Sequence, residues 1–157
     1  MARPDDAGTA RLAELDEELS GLVRRRARLA AAAEAASLAV EEMDEEILRI
    51  QSDERELRAA ERAARRRLKE GIDDEKERSG VEYERYLAKS RIADLMSELQ
   101  EGHNEIHALR NNLDLRLQEL AELDEAHPAA DVERAREAQR HIDALPDDER
   151  RRFLAGR

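Results

Sequence analysis

Leu12-Ala13-Glu14-Leu15-Asp16-Glu17-Glu18-Leu19-Ser20-Gly21-Leu22 sets a leucine at alternating steps of three and four residues. The stripe continues through Arg26, Leu29, Ala33, Ala36, Val40, Met43, Ile47, Ile50, Glu54, Leu57, Glu61, Ala64 and Leu68. A mean step of about 3.5 residues keeps one narrow face turned toward a neighbouring helix over many turns, which specifies a left-handed coiled coil. A second series runs Ala88, Ile92, Leu95, Leu99, Gly102, Ile106, Leu109, Leu113, Arg116, Leu120 and Leu123. Between the two lies Gly71-Ile72-Asp73-Asp74-Glu75-Lys76-Glu77-Arg78-Ser79-Gly80, polar and with a glycine at each end. The spacing predicts an all-α fold: a long antiparallel coiled-coil helical hairpin with a short kinked C-terminal helix. A single continuous helix with a stutter near residue 75 is the competing arrangement.

The expected organisation follows from start and stop signals. Residues 1–8 read as a flexible N-terminal tail, with Asp6 or Thr9 as N-cap. Residues 9–127 form the hairpin, each arm a helix rising 1.5 Å per residue, so that the first arm spans roughly 90 Å. Gly71 closes the first helix, since a glycine can take the left-handed conformation that follows a helix end. Ser79 with Glu82 matches a capping box and would open the second helix at Gly80, leaving a tip at about 71–79. Pro128 ends that helix near His127. Residues 128–157 form a C-terminal helical segment: Asp131 would cap a helix with Val132, Ala135, Ala138, Ile142 and Leu145 on one face, and 147–154 would add a last turn. This segment either covers the N-terminal half of the first helix or splays away toward a partner.

Two registers fit the apolar pattern. If paired residue numbers add up to about 156, Ile47 meets Leu109, Ile50 meets Ile106 and Glu54 lies opposite Gly102, where a missing side chain leaves room for a carboxylate to reach outward. One heptad less, at about 149, is the rival, and it sets Ala33 against Arg116. The first satisfies large-against-small filling better. Arg26, Glu54 and Gly102 are the expected register- or oligomer-setting positions, because a polar seam residue costs stability but restricts the pairings available. On that reading Arg26→Leu raises the melting temperature.

Composition bounds the function. Charged residues make up 43% of the chain and aromatics 2%, with only Phe153, Tyr83 and Tyr86. That is far from the ordinary globular quarter of charged residues. A net charge of −11 disfavours general binding to nucleic acid or to anionic membranes. Without cysteine, no disulfide and no thiolate metal site forms. No apolar run approaches a membrane span, and the start of the chain has no signal-peptide apolar region, so the expected location is cytoplasmic, without membrane insertion.

No nucleophile–base–orienter set and no glycine-rich phosphate loop appears, so the chain is not expected to be an enzyme, and no catalytic residue, metal site or cofactor is assigned. His103 and His107 stand one helical turn apart but have no third ligand, and read as solvated. The arginine triplets at 24–26, 65–67 and 150–152 read as members of exposed ion pairs. Asp73, Asp74, Glu75 and Glu77 cluster at the tip and are the candidate partner-binding residues. The alanine-rich run Leu29–Val40, with Leu38 and Leu48 off the main seam, suggests a second interface and hence a homodimer.

Glu82-Tyr83, Ala88-Lys89 and Arg91-Ile92-Ala93-Asp94-Leu95 resemble the Gre-type transcript-cleavage factors, whose acidic-tipped hairpin enters the secondary channel of RNA polymerase. The spacing between the halves departs from that family, and its globular C-terminal domain has no counterpart, so no residue role is carried over. The expected function is a coiled-coil scaffold or adaptor for protein partners. The alternatives are a regulatory hairpin that inserts its acidic tip into a larger machine, of RNA polymerase or secretion-ATPase type, and a self-assembling structural component.

Overall fold

The structure, a computed structural model, describes residues 4–155, with side chains at Glu17 and from Leu19 onward. It is all-α: α1 (Pro4–Glu70), α2 (Glu75–Glu125), α3 (Ala129–Asp143) and α4 (Asp147–Ala155). The long helices α1 and α2 pack closely as a helical hairpin. The first helix already includes residues 4–8, which were expected to form a loose tail, and Asp6 and Thr9 lie inside it rather than capping it. Proline suits a first helical turn, and one glycine costs only about 1 kcal/mol in a helix interior. The first three residues, and the side chains of Leu12 and Leu15, lie outside the described residues. The chain divides into two compact units.

One unit comprises residues 38–110 and contains the turn. Gly71 ends α1 with φ +91°, the left-handed conformation its position calls for. The turn is only residues 71–74, not 71–79. Asp74, rather than Ser79, caps α2: its Oδ1 accepts the backbone N–H of Lys76 at 3.1 Å, and its carbonyl accepts that of Arg78 at 3.0 Å. The early start is held by two further contacts. Arg78 donates to the Ile72 carbonyl at 2.8 Å, and Arg67 pairs with Glu77 at 3.1 Å.

This shorter turn corrects the register. Ile47, Ile50, Ala64, Val81, Ala88, Leu95 and Ile106 are buried along the seam. The residues against Gly102 are Met43 and Ile47, not Glu54: a methyl group placed on Gly102 would lie 3.2 Å from Met43 Cε and 3.3 Å from Ile47 Cγ1. The pairing is thus one heptad below the expected one, at the rival register, because α2 begins closer to the end of α1 and reaches each α1 residue earlier in its own numbering. Large-against-small filling still holds, with Ile47 supplying the bulk at Gly102. Glu54 and Glu61 occupy seam positions half-buried, and arginines satisfy both. Glu54 accepts from Arg58 on its own helix, while Glu61 accepts from Arg85 Nε at 3.1 Å across the seam. The hydrogen bond from Arg85 is the main reason the Glu61 carboxyl sits below its usual pKa.

The other unit contains residues up to 37 of α1 and residues 111 onward. Pro128 interrupts the chain after α2, and His127 closes that end with Nδ1 placed 2.8 Å from the Leu123 carbonyl. Pro128, not Asp131, is the N-cap of α3; its carbonyl accepts from the N–H groups of Asp131 and Val132 at 3.0 and 3.1 Å. Asp131 sits in the first turn, where a carboxylate is favourable toward the positive end of the helix. The expected apolar face of α3 is real. Ala135 and Ile142 join Leu22, Val23 and Leu123 in one core, bordered by Leu19, Leu29, Ala138 and Phe153. Within this unit the C-terminal segment therefore covers α1, which explains why Val23, off the heptad stripe, is buried.

The three glycines test these environments separately. Gly71→Ala should lower stability by about 1–2 kcal/mol through its left-handed backbone. Gly102→Leu should cost about 1–3 kcal/mol by overpacking against Met43 and Ile47. Gly80 lies inside α2 with open space around it, so Gly80→Ala should add about 0.5–1 kcal/mol. Urea unfolding midpoints at constant m-value check all three.

Candidate interaction surface

Of the residues expected to set the register, Arg26 has the richest surroundings. Its Nε donates to Asp124 Oδ1 at 3.0 Å and its Nη2 to Asp124 Oδ2 at 3.3 Å, while Nη1 donates to the Gln139 side chain. Arg136 adds a contact to Asp124 Oδ2 at 3.3 Å. The Arg26 side chain is 11% exposed and that of Asp124 18%, so a bidentate charge pair is largely withdrawn from water and joins α1, α2 and α3. Burial acts most strongly on the Asp124 carboxyl and pushes its pKa up. The hydrogen bonds and charges of Arg26 and then Arg136 outweigh it, and the net position is below the ordinary 3.8.

The neighbouring arginines do related work. The Arg24 guanidinium carbon lies 5.4 Å from the centre of the Phe153 ring, and Arg28 Nε donates to the Leu154 carbonyl at 2.8 Å, both on α4. Arg24, expected in an exposed ion pair, and Arg28 thus fasten α4 to α1, while Arg26, expected at the seam, fastens α3. The expectation that Arg26→Leu stabilises rested on an apolar environment, and the structure places a carboxylate there instead.

The tip acids divide. Asp74 is used as the helix cap and Glu77 in the pair with Arg67. Asp73 and Glu75 are exposed at the turn and its helix start. Among the described residues, no three His, Asp or Glu side chains are placed to hold a metal ion. His103 and His107 are exposed on α2.

A surface that the heptad reading passed over lies just beyond the tip. Tyr83, Tyr86 and Leu87 are 62%, 66% and 48% exposed and occupy i, i+3, i+4 positions on the outer face of α2. They include two of the chain's three aromatics. The available signal was their place off the seam: apolar residues at helical spacing that no partner helix in this chain needs. Beside the seam, Arg58, Arg62, Arg65, Arg85 and Lys89, with Glu61 and Ile92, line an open groove of about 410 Å³. It is a local cationic field on a chain of net charge −11.

No protein-family profile, curated protein or solved structure matches the chain. Among the described residues, no helix is long and apolar enough to cross a membrane.

Breaking the Arg26–Asp124 pair gives a measurable signature. Arg26→Leu should destabilise by about 2 kcal/mol, because it leaves Asp124 partly buried with only Arg136. The double variant Arg26→Leu/Asp124→Leu should be less damaged than the singles predict in sum, by at least about 1 kcal/mol of coupling. Because the folded pKa of Asp124 is depressed, its contribution is complete above the unfolded value and is lost as pH falls through the folded one. The stability gap between the native chain and Asp124→Asn should therefore be full near neutrality and shrink below pH 3.8, measured by thermal unfolding across pH.

Proposed function

We propose that the chain is a non-catalytic coiled-coil scaffold or adaptor, cytoplasmic, that engages protein partners through the outer surface of its helices. The observation that carries this reading is the exposed Tyr83–Tyr86–Leu87 patch. Tyrosine offers a large, stiff contact area with a polar end, and it is enriched at the centres of protein interfaces. Exposing this area has no advantage for the hairpin's own packing, which is completed on the opposite face by Val81, Ala88 and Leu95.

Exposed Asp73 and Glu75 support a second reading, in which the tip enters a basic cavity of a larger assembly. Asp74 is a poor probe of that idea, since changing it also removes the cap of α2.

Affinity capture with the native chain, Tyr83→Ala/Tyr86→Ala and Asp73→Lys/Glu75→Lys separates the two. Each variant is first checked for native helicity. A captured set lost only with the tyrosine variant supports the adaptor surface. A set lost only with the charge-reversed tip supports insertion, and sets unchanged in both variants would contradict both surfaces.

A further inference from the structure

The outer face of α1 carries a stripe that the hairpin leaves unused. Positions 38, 41, 45, 48, 52, 55, 59, 62, 66 and 69 recur at steps of three and four, and every one of them is exposed. Its character reverses halfway. Leu38, Glu41, Glu45 and Leu48 make the first part acidic and apolar. Arg55, Arg62, Arg66 and Lys69 make the second part basic, and the small Ser52 and Ala59 lie near the change. Of the charges next to the stripe, Glu46 pairs with Arg49, Glu54 with Arg58, and Arg67 with Glu77. Among the described residues, Glu41, Glu45, Arg62, Arg66 and Lys69 form no ion pair.

We propose that this stripe is a self-complementary interface, through which two copies of the chain associate antiparallel about a two-fold axis between Ser52 and Arg55. Reversing the direction of the stripe turns its acidic half toward its basic half. With the axis there, Glu41 of each copy meets Arg66 of the other and Glu45 meets Arg62. Leu48 falls opposite the small Ala59, and the aliphatic stem of Lys69 covers Leu38. Every contact occurs twice, as a two-fold interface requires. A parallel arrangement would set acid against acid and base against base. A foreign partner gives no reason for both halves to lie on one helix at matching distances from one point, whereas a second copy does. The interface leaves the tyrosine patch on α2 free, so it stands apart from the adaptor surface.

The apolar part is small: Leu38 is 54% exposed and Leu48 61%, and the rest is charge. Association is thus salt-sensitive, since exposed pairs weaken as the screening length falls.

Sedimentation equilibrium on the full chain tests the arrangement. The native protein should form a reversible dimer at low salt, with a dissociation constant rising about tenfold or more toward high salt. Glu41→Lys/Glu45→Lys makes the stripe basic throughout, and Arg62→Glu/Arg66→Glu makes it acidic throughout. Each variant alone should be monomeric with native helicity. Mixed in equal amounts, the two should form a heterodimer, and the four-fold exchange within one chain should restore the homodimer. A native chain that stays monomeric at low salt, single-sign variants that still dimerise, or a mixture that does not associate would each overturn the proposal. Tyr83→Ala/Tyr86→Ala should dimerise normally, which separates failure of this interface from failure of the adaptor surface.

Discussion

The four residues Gly71–Asp74 impose the constraint on which the pairing of α1 with α2 in residues 38–110 depends. Gly71 takes a backbone conformation closed to most side chains, and Asp74 begins the next helix at once. A turn this short leaves the antiparallel helices little freedom to slide. The seam then has to accept the resulting neighbours. It does so with Gly102, where the absence of a side chain admits Met43 and Ile47, and with Arg85, which satisfies the half-buried Glu61. Apolar burial drives the packing, but Leu and Ile at repeating positions fit several registers nearly equally well. Turn geometry and a few unequal positions select one of them.

In the unit that holds the C-terminal segment, charge performs a comparable selection. Small and medium side chains such as Ala135, Val132 and Ile142 make the α3 face apolar but not very discriminating. Arg26 adds direction. Its planar fork matches the Asp124 carboxylate and reaches Gln139 at the same time, so α3 can bring Gln139 to it only in one position. Such a network is expensive to desolvate, and its value lies in the alternatives it penalises rather than in stability gained over an apolar core. Arg24 against Phe153 and Arg28 on the Leu154 carbonyl extend the same logic to α4.

What was legible in the sequence is what local chemistry decides. The heptad spacing, the helix stop at Gly71, the break at Pro128 and the apolar face of α3 depend on neighbours a few residues away. The start of α2 was not legible: Ser79 has the residue type and spacing of a cap, but Asp74 takes the role, helped by contacts from Arg78 and Arg67. The partners of Arg26 were out of reach because Asp124 and Gln139 are 98 and 113 residues distant in the chain. The register error followed from the same limit, since a one-heptad shift preserves the apolar pattern while changing every pairing. Candidate sites fared differently. The tip acids are exposed or structurally occupied, whereas the tyrosine patch lies at helical spacing off the seam, where heptad periodicity carries no information.

The absence of cysteine from the natural sequence makes the register directly measurable. Two variants, Ile47→Cys/Gly102→Cys and Glu54→Cys/Gly102→Cys, are oxidised at high dilution and examined for intramolecular disulfides, which form only when the Cα atoms approach within about 7 Å. The structure predicts rapid cross-linking of the first and none of the second. Cross-linking of the second pair with the first left reduced would contradict the turn-determined register and the packing derived from it.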